Sequence, residues 1–234
     1  MTAANPQLSV IIPVFNETGN IRPLIEEIEA ALLPRLRLEI VIVDDGSTDD
    51  SGAEIGELTR AHKSLRVIIH GRNRGQSAAI RTGVKAAFAP VIAVLDGDGQ
   101  NDPADIPALF AALNIQSNVC MVVGERQRRL DRWIRLASSR IANLVRSKLL
   151  GDGIRDTGCG LKVFYRDKFL ELPPFDHMHR FLPALVQHRG GVIQSLPVNH
   201  RPRVHGESKY GINNRLWVGI VDMLGVLWLK RRQI

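Results

Sequence analysis

Cysteine is nearly absent. Cys120 and Cys159 are the only two in the chain, too few for a disulfide framework and in keeping with a reducing compartment. Aromatic residues are thin at 5%. No stretch reaches the roughly 18 uninterrupted apolar residues of a membrane span. The opening MTAANPQLSV lacks the basic-then-apolar layout of a secretory signal, so none is expected. Several phosphate and nucleophile signatures are missing too. There is no G-x-x-x-x-G-K-[ST], no G-x-G-x-x-G after the first strand and no G-x-S-x-G, which leaves a P-loop, a common dinucleotide fold and a nucleophile elbow unsupported. His177, His179 and His188 lie near one another without the i, i+4 spacing of a helical zinc pair, and read as surface or packing residues. Cys159 in TGCG reads as a small buried residue. Internal repeats and low-complexity segments are absent.

What is present suffices for one sizeable core: 234 residues, 44% of them hydrophobic. A single domain over 1–211 is expected, followed by a tail, 212–234. The net charge of +7 conceals an asymmetry. Residues 1–120 carry 10 Lys and Arg against 15 Asp and Glu; residues 121–234 carry 21 against 9. An acidic front and a basic back imply that the second half meets an anionic partner. Nucleic acid, a phosphorylated ligand and an anionic membrane surface all qualify on composition.

The first half alternates. QLSVIIPVF, LEIVIVDD, LRVIIH and PVIAVLD read as strands of continuous apolar, largely β-branched character. Between them, Ile21, Leu24, Ile25, Ile28 and Leu32 have the spacing of a helix face, a helix is expected over 50–61 with Ser47 or Asp49 as its cap, and GQSAAIRTGVKAAF reads as a third helix. This pattern predicts an α/β fold with a parallel sheet covered on both faces. Further on, VCMVVGER reads as a strand, RLDRWIRLASSRIANLVRSKLL as a helix with an arginine-rich face, GDGIRDTGCG as a loop, RFLPALVQHRG as a helix and VIQSLPVNH as a strand. The tail, Leu216 to Arg232, is apolar, broken by Asp222 and closed by Lys230, Arg231 and Arg232. It suits an amphipathic helix lying at a membrane interface. An ordinary core helix or an oligomer contact is the alternative.

In a parallel α/β sheet, ligands sit beyond the carboxyl ends of the strands. Those ends are polar here: Pro13 to Glu17, Asp44 to Ser47, and Asp96 to Gln100 in LDGDGQNDP. If the segment stays extended, Asp96 and Asp98 point the same way and Gln100 joins them. Oxygen donors of this kind suit Mg²⁺ or Mn²⁺, which shares its shell with substrate phosphates. Gly97 and Gly99 would let a diphosphate approach the backbone. The plainer reading is a polar turn with capping aspartates; convergence with two other acidic strand ends argues against it.

Five motifs in order, SVIIPVFNE, VIVDDGSTD, NRGQSAAIRTG, LDGDGQNDP and RVHGESK, resemble the family 2 glycosyltransferases of GT-A fold, in particular their polyprenyl-phosphate (dolichol-phosphate mannose synthase-like) branch. The resemblance runs from Ser9 to about Gly211. It implies a Rossmann-like, mostly parallel sheet flanked by helices. It also implies nucleotide-binding roles for Pro13, Phe15, Glu17, Val43, Asp45, Asp96, Gly97 and Asp98, and a divalent metal, Mg²⁺ or Mn²⁺, on Asp96, Asp98 and Gln100. Arg126, Arg203 and Lys209, with Gly206 and Ser208 of the same signature, would hold the phosphates of donor and acceptor, making Asp98, Arg126, Arg203 and Lys209 the catalytic set.

The function so implied is inverting, metal-dependent transfer of a sugar from a GDP- or UDP-linked donor to a polyprenyl phosphate. Many family 2 enzymes that act on hydroxyls carry a late Glu-Asp pair as base. This chain has no Glu-Asp dipeptide, although Asp156 lies in roughly that region. A lipid phosphate is already ionised and needs no base. The expected location is the cytoplasmic face of a membrane, held peripherally, with Arg129, Arg132, Arg135, Arg140 and the tail meeting anionic headgroups; a solvated helix face is the alternative for those arginines. A homo-oligomer is compatible with this reading. Two departures stand out: Asn101-Asp102-Pro103 replaces the family's usual His-Pro-rich sequence, and Phe15 stands where tyrosine is common. The multi-span C-terminal region of some relatives has no counterpart here, which argues against translocation. The rival enzyme reading is a saccharide hydroxyl acceptor. A basic nucleic-acid-binding module is the rival from another class, disfavoured by the few aromatics and the lack of a reading motif.

Overall fold

The computed structural model describes residues 5–127, 149–151, 153–203 and the helix 212–232, with backbone alone for 212–218 and 220. Four strands fall where the apolar runs predict them: β1 (Leu8–Val14), β2 (Leu38–Asp44), β3 (Leu65–Ile69) and β4 (Val91–Val94). They pair in parallel, Leu8 opposite both Leu38 and Val91, and Ile40 opposite Leu65. Helices α1 (Ile21–Leu32), α2 (Ser51–Ala61) and α3 (Gln76–Ala86) connect them, and α4 (Ile106–Ala112) follows β4.

Among the described residues the sheet has seven strands in the order β3-β2-β1-β4-β6-β5-β7, completed by β5 (Val119–Arg126), β6 (Lys162–Tyr165) and β7 (Val192–Val198). The sheet is mostly parallel, as the resemblance implies, and β6 is its reversed strand. β6 runs antiparallel to both neighbours, with Lys162 opposite Val94 of β4 and Val123 of β5. It is four residues long and polar at its start, so neither length nor alternation announces it.

The period of two along β1 and β2 divides the core between the two faces. Val10, Ile12, Ile40 and Ile42 pack with Ile21, Leu24, Ile25 and Ile28 of α1. Ile11, Val41 and Val43 pack on the other face with Ile80 and Val84 of α3. Here α3 sits very close: a Cβ on Gly83 would lie 2.5 Å from Ile11 Cγ2 and 3.1 Å from Val43 Cγ2. The same face carries α5 (Arg166–Leu170), α6 (Leu182–His188) and part of α7 (Ile212–Arg232), with Phe169, Leu185 and Val226 buried together.

Neither expected cap of α2 performs that role through its own side chain at the N-cap position, which is Asp50. Ser47 Oγ instead accepts the Asn16 N–H at 2.9 Å, joining the β1 and β2 loops, while Asp49 accepts the Ser51 N–H at 3.0 Å. Helix α7 begins at Ile212, ahead of the apolar stretch from Leu216. No helix among the described residues is long and apolar enough to cross a membrane. The arginine-rich helix expected after Arg126 lies outside the described residues except for its last two, Leu149 and Leu150, which are helical.

Candidate active site

The carboxyl ends of β1, β2 and β4 meet, as the strand-end acids require. Gly97 follows β4 directly beside the end of β1: a Cβ there would lie 3.1 Å from the Pro13 carbonyl oxygen and 3.3 Å from Val14 Cγ2. Its lack of a side chain is thus needed for packing against β1. Gly99 differs, with φ +71 and no neighbour within 4 Å of an added Cβ, so its requirement is conformational. The expected extended run from Asp96 to Gln100 is not formed, because residues 97 and 98 turn. The two aspartates are nevertheless held toward one region, by different partners.

Asp96 Oδ1 accepts from Gln76 Nε2 at 2.7 Å, which ties the first turn of α3 to the end of β4. Burial and then the Asp98 carboxylate push Asp96 up to about 6. Asp98 accepts from the Gln100 N–H at 3.1 Å through Oδ1 and from Arg203 Nη2 at 2.7 Å through Oδ2. The other Arg203 nitrogen lies 3.6 Å from Glu17 Oε1. Arg203 therefore bridges the end of β1 to the D-x-D turn. Gln100 faces elsewhere: its side-chain amide donates to the Arg201 carbonyl at 3.3 Å, and its own carbonyl accepts the Arg201 N–H at 2.9 Å. No group of three or more His, Cys, Asp or Glu able to hold a metal occurs among the described residues. Two neighbouring carboxylates, one of them raised by burial and then by the other's charge, still fit a hard divalent cation that completes its shell with water and a diphosphate. Asp96 and Asp98 would hold it.

Asp45 is a hub. Oδ1 is 2.6 Å from His70 Nδ1, and the carboxylate also accepts the N–H groups of Arg74 and Gly75, the latter at 2.8 Å. Val43 sends its side chain into the core against α3, so it can reach a ligand only through its backbone. Pro13, Phe15 and Glu17 are half-buried at the end of β1.

Arg126 ends β5, and its guanidinium grips Asp156 through two bonds, Nε to Oδ2 at 2.7 Å and Nη2 to Oδ1 at 2.8 Å. This two-pronged pair fixes the planar cation and occupies the carboxylate noted as a candidate base. Lys209, Gly206 and Ser208 lie outside the described residues.

Sequence reasoning missed three contributors. Gln76 sits inside one of the five motifs and could have been found there. Gly160 is invisible by pattern, yet an added Cβ would fall 2.1 Å from Asp96 Oδ2. Lys162 reaches the site only because β6 is reversed, which puts its first residue at the ligand edge. Its ammonium is buried and donates to the Cys159 carbonyl, and burial pushes its pKa down.

The glycosyl transferase family 2 model matches residues 9–172. The chain is 37% identical over 234 residues to a dodecaprenyl-phosphate galacturonate synthase of Rhizobium johnstonii, covering 96% of this chain and 68% of that protein. It is 33% identical over 207 residues to an undecaprenyl-phosphate 4-deoxy-4-formamido-L-arabinose transferase of Edwardsiella ictaluri, covering 88% and 63%. The chain thus spans about two thirds of the length of these relatives. Among solved structures, glucosyl-3-phosphoglycerate synthase from Mycobacterium tuberculosis, with Mn²⁺, UDP and glucosyl-3-phosphoglycerate, superposes with a TM-score of 0.69 at 17% identity, covering 96% of this chain and 80% of that one. The same enzyme with Mg²⁺ and UDP also gives 0.69, at 15% identity and 96% and 79% coverage. Sequence and fold agree, and the chain belongs to glycosyl transferase family 2.

Proposed function

We propose that the chain transfers a sugar, with inversion, from a nucleoside-diphosphate donor to a polyprenyl phosphate. The observation that carries the choice of acceptor is the pairing of the carboxylates at the ligand edge. Asp156 is gripped by Arg126, while Asp98 and Glu17 both face Arg203. A sugar hydroxyl needs a base to take its proton; Asp156, Asp98 and Glu17 are committed to cations, and Asp96 would be taken up by the metal. An ionised phosphate attacks without one. The names of the two relatives, both of which specify a polyprenyl phosphate, support the same acceptor.

Asp96 and Asp98 would hold Mg²⁺ or Mn²⁺, with Gln100 shaping the turn behind them. The metal would neutralise charge on the departing diphosphate. Arg126 and Arg203, preset by their carboxylate partners, would offer fixed positive charge to the donor and acceptor phosphates without reorganising. The strand ends at Pro13–Glu17 and Val43–Asp45 would border the nucleoside. UDP in the solved neighbours makes uridine the first nucleotide to test.

Helix α7 supports a peripheral membrane position. Val226 is buried, Asp222 meets His177 Nδ1 at 2.9 Å, and Lys230 donates to the Leu150 carbonyl, so one side is fastened to the domain. Val221, Leu224 and Trp228 on the other side are 65%, 58% and 59% exposed, beside exposed Arg231 and Arg232. This side would rest on an anionic membrane surface.

The test is incubation of radiolabelled nucleotide sugars with polyprenyl phosphate and the chain. Label in an acid-labile, solvent-extractable lipid is expected; label only in water-soluble glycan would overturn the acceptor. Asp98→Ala and excess EDTA should each abolish transfer while the far-ultraviolet circular dichroism of the variant stays unchanged. Full activity under either condition would remove the metal from the reading.

A further inference from the structure

We infer that His70 is a positioning residue for the nucleoside end of the donor pocket, acting through Asp45. The inference rests on the reading above that the β1 and β2 ends border a nucleoside. His70 follows the last residue of β3, and its N–H closes the ladder on the Asp44 carbonyl at 2.8 Å. Its ring turns inward and is buried, bonded on both sides: Nδ1 to Asp45 Oδ1 at 2.6 Å, Nε2 to Thr82 Oγ1 of α3 at 3.0 Å. A carboxylate only accepts, so Nδ1 carries the hydrogen. In the neutral ring Nε2 then accepts from the Thr82 hydroxyl.

The carboxylate so fixed also gathers the N–H groups of Arg74 and Gly75. It is the clasp between the end of β2 and the loop leading into α3. Those two segments touch: a Cβ on Gly46, which has φ +76, would lie 2.7 Å from the Arg72 carbonyl carbon. A base lodged at these strand ends would meet surfaces whose spacing depends on the Asp45 orientation, and His70 and Thr82 set that orientation from behind. A role confined to fold stability would lower the melting temperature and leave ligand preference alone.

The experiment is calorimetric titration of the full chain with UDP, with GDP and with inorganic pyrophosphate, each in the presence of Mn²⁺. His70→Phe should weaken the nucleotide that the wild type binds better by about tenfold, the scale of one lost charge-assisted hydrogen bond, and leave pyrophosphate unchanged. His70→Asn places an N–H where Nδ1 was and should restore most of that loss. In turnover, the donor KM should rise in His70→Phe with kcat within about twofold. Equal weakening of nucleotide and pyrophosphate, or nucleotide affinity matching the wild type, would overturn the role of His70 while leaving the transferase reading intact. A wild type that binds neither nucleotide would overturn both. If His70→Phe does not fold, Thr82→Val decides: an unchanged donor KM there overturns the inference.

Discussion

Two aspartates separated by one glycine carry different burdens. Asp96 is bound to a neutral amide, Gln76, and raised by burial and by its neighbour's charge; Asp98 is bound to a cation, Arg203. Their position at a strand end was legible from the sequence, because an apolar run closing on D-x-D, together with two more acidic strand ends, marks the ligand edge of a parallel sheet. Their orientation was not, since period-two logic presumes an extended chain and this one turns at residue 97. The supports behind them were less legible still. Gly160→Ala would place a methyl group on top of the Asp96 carboxylate and force it away from Gln76. We expect a donor KM at least about tenfold higher with a melting temperature within a few degrees of wild type, measured by kinetics and thermal melts. Arg126 and Asp156 act as one unit. Arg126→Ala and Asp156→Ala should each lower kcat/KM by about 10- to 100-fold, and the double variant should lose little more than either single one, as coupled partners do. Losses that simply multiply would show that each acts alone.

At the scale of elements, periodicity worked where strands were long and buried on both sides and helices had one apolar stripe. It failed at β6, where four residues of mixed character complete the sheet, antiparallel to both neighbours. What decides such a strand is the backbone pairing offered by β4 and β5, and that is a tertiary fact. Helix α3 shows another limit. Its small residues read as a generic small-residue helix, whereas Gly83 sets the distance at which the helix rests on β1 and β2. Gly83→Ala should cost about 1–3 kcal/mol by overpacking against Ile11 and Val43. For a chain of this size that corresponds to a fall in melting temperature of about 2–4 °C per kcal/mol, read by calorimetry. An unchanged melting temperature would mean that the sheet yields at no cost.

Across the whole molecule, the charge asymmetry and the two-sided α7 point the same way. Trp228→Glu with Leu224→Glu should reduce co-sedimentation with phosphatidylglycerol vesicles by about tenfold and leave turnover in detergent within about twofold. Raising ionic strength should weaken wild-type sedimentation, because the contribution of Arg231 and Arg232 is screened. Wild-type sedimentation of the double variant would discard α7 as the contact. Composition implies an anionic partner but does not say which side of the tail would face it, since that depends on what Val226 and Asp222 dock against.

The reversal of β6 has a further consequence. Because β5 ends and β6 begins at the same rim of the sheet, Arg126 and Lys162 both stand on the ligand side, where Asp156 and Gly160 meet Arg126 and Asp96. The strand ends proposed for the donor all precede β5, yet Gly160 lies against Asp96, so a change just before β6 is felt at the end of β4. A chimaera joined at Arg126 and Lys162 must therefore keep Asp156 and Gly160, or it alters the donor end together with whatever else it exchanges.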